Sequence, residues 1–114
     1  MEFGAPERLM ASSQVKSAEN IALFKAALAG STSGVETALE KGGKPNFFFH
    51  PEDQKNALHV VAENGHFDIA KLLIDAGAIV DAKAGASQST ALVIAAGFHS
   101  DLVVRLLLDN GADV

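Results

Sequence analysis

The chain has 114 residues, 48% of them hydrophobic and 20% charged, with a formal net charge of −5; that is one globular domain's worth of sequence, not a disordered or fibrous chain. It has no cysteine, which excludes disulfides, thiolate zinc sites and a thiol nucleophile. The acidic surplus lies in residues 47–114, where nine acids face four basic residues, while residues 1–46 balance five against five. Clustered Lys and Arg that would hold phosphates are missing, so nucleic acid is not an expected partner. The net charge keeps a small domain soluble; recruitment of a basic partner is the alternative reading. Apolar runs such as Leu102–Val104 and Leu106–Leu108 are split by Arg105, and no stretch approaches the roughly 20 residues of a membrane helix. Membrane insertion is therefore not expected. Residues 1–8 hold two acids and no apolar core, unlike a signal peptide. Lack of cysteine fits a reducing compartment, so an intracellular, cytoplasmic location is expected, with a cysteine-free secreted protein as the alternative.

Along the chain, residues 1–16 read as a flexible N-terminal segment. Gly4, Pro6, Ser12 and Ser13 lie among few apolar residues, and little burial offsets the ordering entropy. Phe3, Leu9 and Met10 are the residues there that a partner would order. From residue 17 the chain repeats itself. A shift of 34 lays residues 57–80 on 91–114 with nine identities in 24 positions, Ala57/Ala91, Leu58/Leu92, Ala62/Ala96, Leu73/Leu107 and Gly77/Gly111 among them. A shift of 35 lays Leu23, Ala27, Gly30, Gly42 and Asn46 on Leu58, Ala62, Gly65, Gly77 and Asp81. Three units result, at about 17–46, 47–81 and 82–114.

Each unit reads as two short helices and a linker. In the first unit, Ser33-Gly34-Val35-Glu36 has the form of a capping box. Phe47-Phe48-Phe49 is the most strand-like run, and it is short. In the second unit Asn56 is placed to cap a helix carrying Leu58, Val61 and Ala62, which Gly65 ends. Ile69, Leu72 and Leu73 then mark a second helix closed by Gly77. In the third, Ser100 and Asp101 start the last helix.

Asn56-Ala57-Leu58-His59-Val60-Val61-Ala62-Glu63-Asn64-Gly65-His66, followed by Ile69–Leu73 and Gly77-Ala78, resembles an ankyrin repeat. The resemblance covers residues 17–114 and implies an all-α solenoid of stacked helix-turn-helix units joined by hairpin-like loops. It departs from the family pattern at Ala57 and Ala91, which replace the motif proline, and at Val93, which replaces the histidine. His99 stands at the turn glycine, a position where a side chain is strained. The linkers from Asn46 to Leu58 and from Asp81 to Leu92 are two residues and one residue longer than the family spacing, so irregular tips are expected.

The resemblance implies protein binding without chemistry of its own, and the residues agree. His50, His59, His66 and His99 form no HxxxH or HExxH pair; His59 and His66 read as motif histidines, with His59 tying helix to loop, and His50 and His99 as exposed. His50, Glu52 and Asp53 form a polar cluster in a solvated linker with nothing to tune it. Residues 85–90 lack the lysine and second glycine of a phosphate loop. No cofactor or metal is expected. The resemblance places Glu63, Asn64 and Phe98 on the groove. With Phe47, Phe48 and Phe49 in the first linker and Lys55, Gln88 and Ser89 at the tips, they are the candidate partner-binding residues. Strict alternation buries one or two of the three linker phenylalanines, and local packing of the tips is the competing reading.

The expected function is a non-catalytic module that binds another protein through its concave face and loop tips. The alternative is the N-terminal regulatory or targeting part of a longer protein such as an enzyme or channel. An enzyme in its own right would need a catalytic constellation that the sequence does not show. Val103, Val104, Leu106, Leu107 and Leu108 leave the last helix apolar on more than one side, whereas terminal repeats carry a polar outer face. Further units after residue 114, or self-association of the exposed C-terminal face, are expected for that reason.

Overall fold

The structure, a computed structural model, describes residues 17–48 and 50–113. The expected N-terminal segment 1–16, Phe49 and Val114 lie outside the described residues. Among the described residues there are six helices: α1 (Ala18–Ala29), α2 (Thr32–Glu40), α3 (Ala57–Asn64), α4 (Phe67–Asp75), α5 (Ala91–Gly97) and α6 (Asp101–Asp109). They form three antiparallel pairs, and β-pairing among these residues is limited to the isolated bridges Phe48–Asn56 and Ala84–Ser89. The architecture is all-α.

The pairs repeat down to single hydrogen bonds. Residues 30, 65 and 99 each take the left-handed conformation, with φ of 73°, 71° and 58°. In each pair the next amide then reaches back across the turn: Ser31 to the Ala26 carbonyl, His66 to Val61 and Ser100 to Ala95. Glycine fills the first two turns at no steric cost, whereas His99 carries a Cβ into the same geometry. The second helices close on Gly42, Gly77 and Gly111, all at positive φ, with Gly43, Ala78 and Ala112 donating to Ala38, Leu73 and Leu107.

The helix starts show one correction. Ser31, not Ser33, caps α2, its Oγ accepting from the Gly34 amide at 3.1 Å. The left-handed Gly30 stops α1 and leaves one extended residue before the chain turns helical again, so Ser33 already lies inside the first turn. The other expected starts hold. Asn56 caps α3 by accepting from the His59 amide, and the His59 ring accepts from the Asn56 amide in return. Ser100 precedes α6, without a side-chain cap bond.

First helices pack on first helices and second on second, α1 on α3 on α5 and α2 on α4 on α6. Leu23, Val35, Leu58, Val61, Ile69, Leu73, Leu92, Val103 and Leu107 run through all three pairs as one core. Alanine at 27, 62, 70 and 95 sits between them fully buried and lets the helices approach closely. Polar ties repeat alongside: Asn46 Oδ1 accepts from the Ile79 amide at 2.8 Å and Asp81 Oδ1 from the Asp113 amide at 3.0 Å, one unit further on.

Two stability outcomes follow. Leu73→Ala lies in the shared core and lowers unfolding free energy by about 2–5 kcal/mol, whereas Phe98→Ala, at 57% exposed, changes it by less than about 0.5 kcal/mol. Denaturant melts measure both, and equal losses would show that Phe98 is a core residue. His99→Gly removes the left-handed strain and raises stability by about 0.5–1 kcal/mol in the same assay.

Candidate partner-binding groove

One hollow is built by the N-terminal helices of units two and three and the linkers that precede them. Between units two and three it forms a groove of about 220 Å³. Lys55, Glu63, Ile94 and Phe98 line it together with Ala84, Gly85, Ser87 and Ser89 of the second linker. Phe98 follows the last turn of α5 as its C-cap residue, at the position that Asn64 occupies in unit two.

The linkers are held in place by backbone geometry. Gln54 and Gln88, one repeat apart, both take φ of 56°, and these are the irregular tips that the long spacings predict. Ala84 and Ser89 exchange amide-to-carbonyl bonds at 2.9 Å each, and Gln88 closes the intervening turn by donating from both its backbone and its side-chain amide to the Gly85 carbonyl. The Gly85 amide donates to the Asp53 carbonyl at 2.7 Å, which fastens the second tip to the first.

His59 anchors this arrangement from below. Its Nδ1 accepts from the Asn56 amide and its Nε2 lies 2.9 Å from the Ala82 carbonyl, at the root of the second linker. The neutral Nε2–H tautomer satisfies both bonds at once; a charged ring would turn a donor toward the Asn56 N–H. Burial pushes the imidazole below its ordinary 6.5, against the Ala82 carbonyl, which favours the charged form. Both ring nitrogens are thus engaged in the structural role expected of a motif histidine. His50 and His99 are exposed, and His50 lies 3.7 Å from Glu52 in an exposed pair. Asp53 accepts from the Lys55 amide.

Of the candidate contact residues, Lys55, Glu63, Ser89 and Phe98 come together in the groove. Asn64 and Gln88 are exposed beside it. Phe48 lies elsewhere, in a separate hollow with Asn56, Ile79 and Lys83. Phe47 is a correction: it is 2% exposed and packs with Phe24 and Val60 in a second apolar cluster, so a partner cannot reach it in the folded chain. The aromatic fills the space between the first linker and the middle turns of α1 and α3. Phe49 lies outside the described residues. The sequence reading missed Ile94. Its signal was its register: it is the repeat equivalent of Val60, which Phe47 covers, and the third unit supplies no second phenylalanine to cover it.

The family model for ankyrin repeats (3 copies) matches residues 23–114. The chain belongs to the ankyrin-repeat family. Among its relatives, the ankyrin repeat and KH domain-containing protein mask-1 of Caenorhabditis elegans is 35% identical over 81% of this chain. The BRCA1-associated RING domain protein 1 of the same organism is 29% identical over 100% of the chain, and human histone-lysine N-methyltransferase EHMT1 is 37% identical over 52%. The chain spans only 3%, 16% and 4% of those three proteins. Ankyrin repeats are generally non-catalytic and generally bind other proteins. No helix among the described residues is long and apolar enough to cross a membrane.

The lowered His59 value makes the groove's scaffold pH-sensitive. The folded ring resists the proton that the unfolded ring takes up near 6.5, so stability is complete above that pH and declines as pH falls below it. Thermal melts across about pH 7.5 to 5 measure the decline. His59→Gln removes the part due to this ring and lowers stability at neutral pH by about 1–3 kcal/mol, through the lost buried bonds. An unchanged pH profile in that variant contradicts the assignment.

Proposed function

We propose that this chain is a non-catalytic protein-binding module whose contact surface is the groove between Glu63 and Phe98. The observation that carries this reading is Phe98 itself: a large aromatic side chain, 57% exposed, lines the groove with Ile94, Lys55 and Glu63. Aromatic side chains give large contact area at low entropic cost and are common hot spots. The partner is another protein that offers an apolar side chain to this groove; Asn64 and Gln88 form the polar rim. Residues 17–114 act as one domain, and the setting is cytoplasmic.

A second reading is favoured by the relatives. Each of the three is far longer than the stretch matched here, and their names carry a KH domain, a RING domain and a methyltransferase. The module then serves as the regulatory or targeting part of a longer chain. Both readings use the same groove.

Affinity capture with the intact chain, read by mass spectrometry against Phe98→Ala, tests the site. Proteins retained by the wild type and depleted at least about tenfold by Phe98→Ala are the expected result, since loss of a hot spot costs about 2 kcal/mol or more. An identical capture profile for a folded Phe98→Ala chain would remove the groove from the account.

A further inference from the structure

The two ends of the stack carry the two halves of one interface. Four positions recur on the side of each unit that faces its successor: Phe24, Ala27, Val35 and Leu39, then His59, Ala62, Ala70 and Ile74, then Val93, Ala96, Val104 and Leu108. In units one and two the first three of each set are buried and the fourth half-buried. In unit three Val93 is 59% and Leu108 44% exposed, Ala96 is exposed and Val104 half-buried. Among the described residues, these stacking positions are the ones left open.

The opposite face shows the reverse. Ala57, Val61 and Ile69 are buried in unit two and Ala91, Ala95 and Val103 in unit three, each with a preceding unit alongside. Their equivalents in unit one are Ala22, which is exposed, and Ala26 and Gly34, which are half-buried. With Thr37 and Lys41 they wall a hollow of about 450 Å³. The size pattern is complementary: Val93, Val104 and Leu108 project at one end, while alanine and glycine leave the hollow at the other. Charge at this edge is mixed and size carries the match: Asp109 ends α6, and α2 ends on Glu40 followed by Lys41. One further step of the stack brings these two helix ends side by side.

We propose that copies of this chain associate head to tail, with unit three of one copy stacked on unit one of the next. The occupant of each end face is thus a second copy of this chain, which carries the matching face. Such a contact is heterologous and does not close on a two-fold axis, so it extends into short filaments. It leaves the concave groove open and so goes beyond the binding function proposed above.

Sedimentation velocity of the 114-residue chain over a concentration series tests this, with two double variants at exposed positions. Val93→Glu/Leu108→Glu blocks the projecting face, and Ala22→Glu/Thr37→Glu blocks the hollow. The wild type is expected to show concentration-dependent species larger than a monomer. Each variant alone is expected to weaken association at least tenfold, and an equimolar mixture to give a heterodimer that grows no further. A wild type monomeric throughout overturns the proposal. So does a hollow-blocked variant that associates like wild type, because the projecting face would then be pairing with something else; so does a mixture that stays monomeric. Should either variant fail to melt cooperatively, thiols decide. The chain has no cysteine of its own, and Lys41→Cys mixed with Asp109→Cys is expected to give the mixed disulfide in clear excess over both self-disulfides. A statistical mixture of the three overturns the proposal.

Discussion

Each pair here sets a helix of seven to twelve residues against one of nine, and neither can bury its apolar side within the pair. Isolated helices this short are unstable in water. Their stability has to come from the neighbouring unit, and the rest of the structure follows from that dependence. Alanine at 27, 62, 70 and 95 brings the layers close, and Leu23, Leu58, Leu73 and Leu107 bridge them. Contacts run between neighbouring units, as in one-dimensional repeat proteins.

Stacking alone does not fix register; polar ties between neighbouring units do. Asn46 and Asp81 each take an amide from the following unit, and His59 joins α3 to the root of the second linker. These bonds set where the tips stand, and the tips and first helices together leave the groove. Groove and fold therefore share one set of constraints. His59 thereby ties α3 to the linker that carries Gly85, Ser87 and Ser89.

Most of the architecture was legible because it is written three times. Gly30 and Gly65 recur at one backbone conformation, and Asn56 and Ser100 stand where helices must begin. The departures come from single, non-repeated features. Ser33 looked like a cap because Glu36 follows it, but the chain turns helical again one residue after Gly30, so the cap falls on Ser31. Three phenylalanines in a row carry no alternation, so the sequence did not say which would be buried; the packing of Phe24 and Val60 takes Phe47. Of the residues that the family resemblance places on the groove, Phe98 and Glu63 line the same hollow as Lys55 and Ser89. Ile94 was not legible, because its exposure depends on a covering side chain that the third unit lacks.

Site-resolved amide hydrogen exchange, on the dilute chain, measures the dependence of each unit on its neighbours. The account predicts the highest opening free energies in α3 and α4, which are covered on both sides, and lower ones in α1, α2, α5 and α6. Protection that is highest in an end pair, or α3 and α4 opening before the ends, would contradict it.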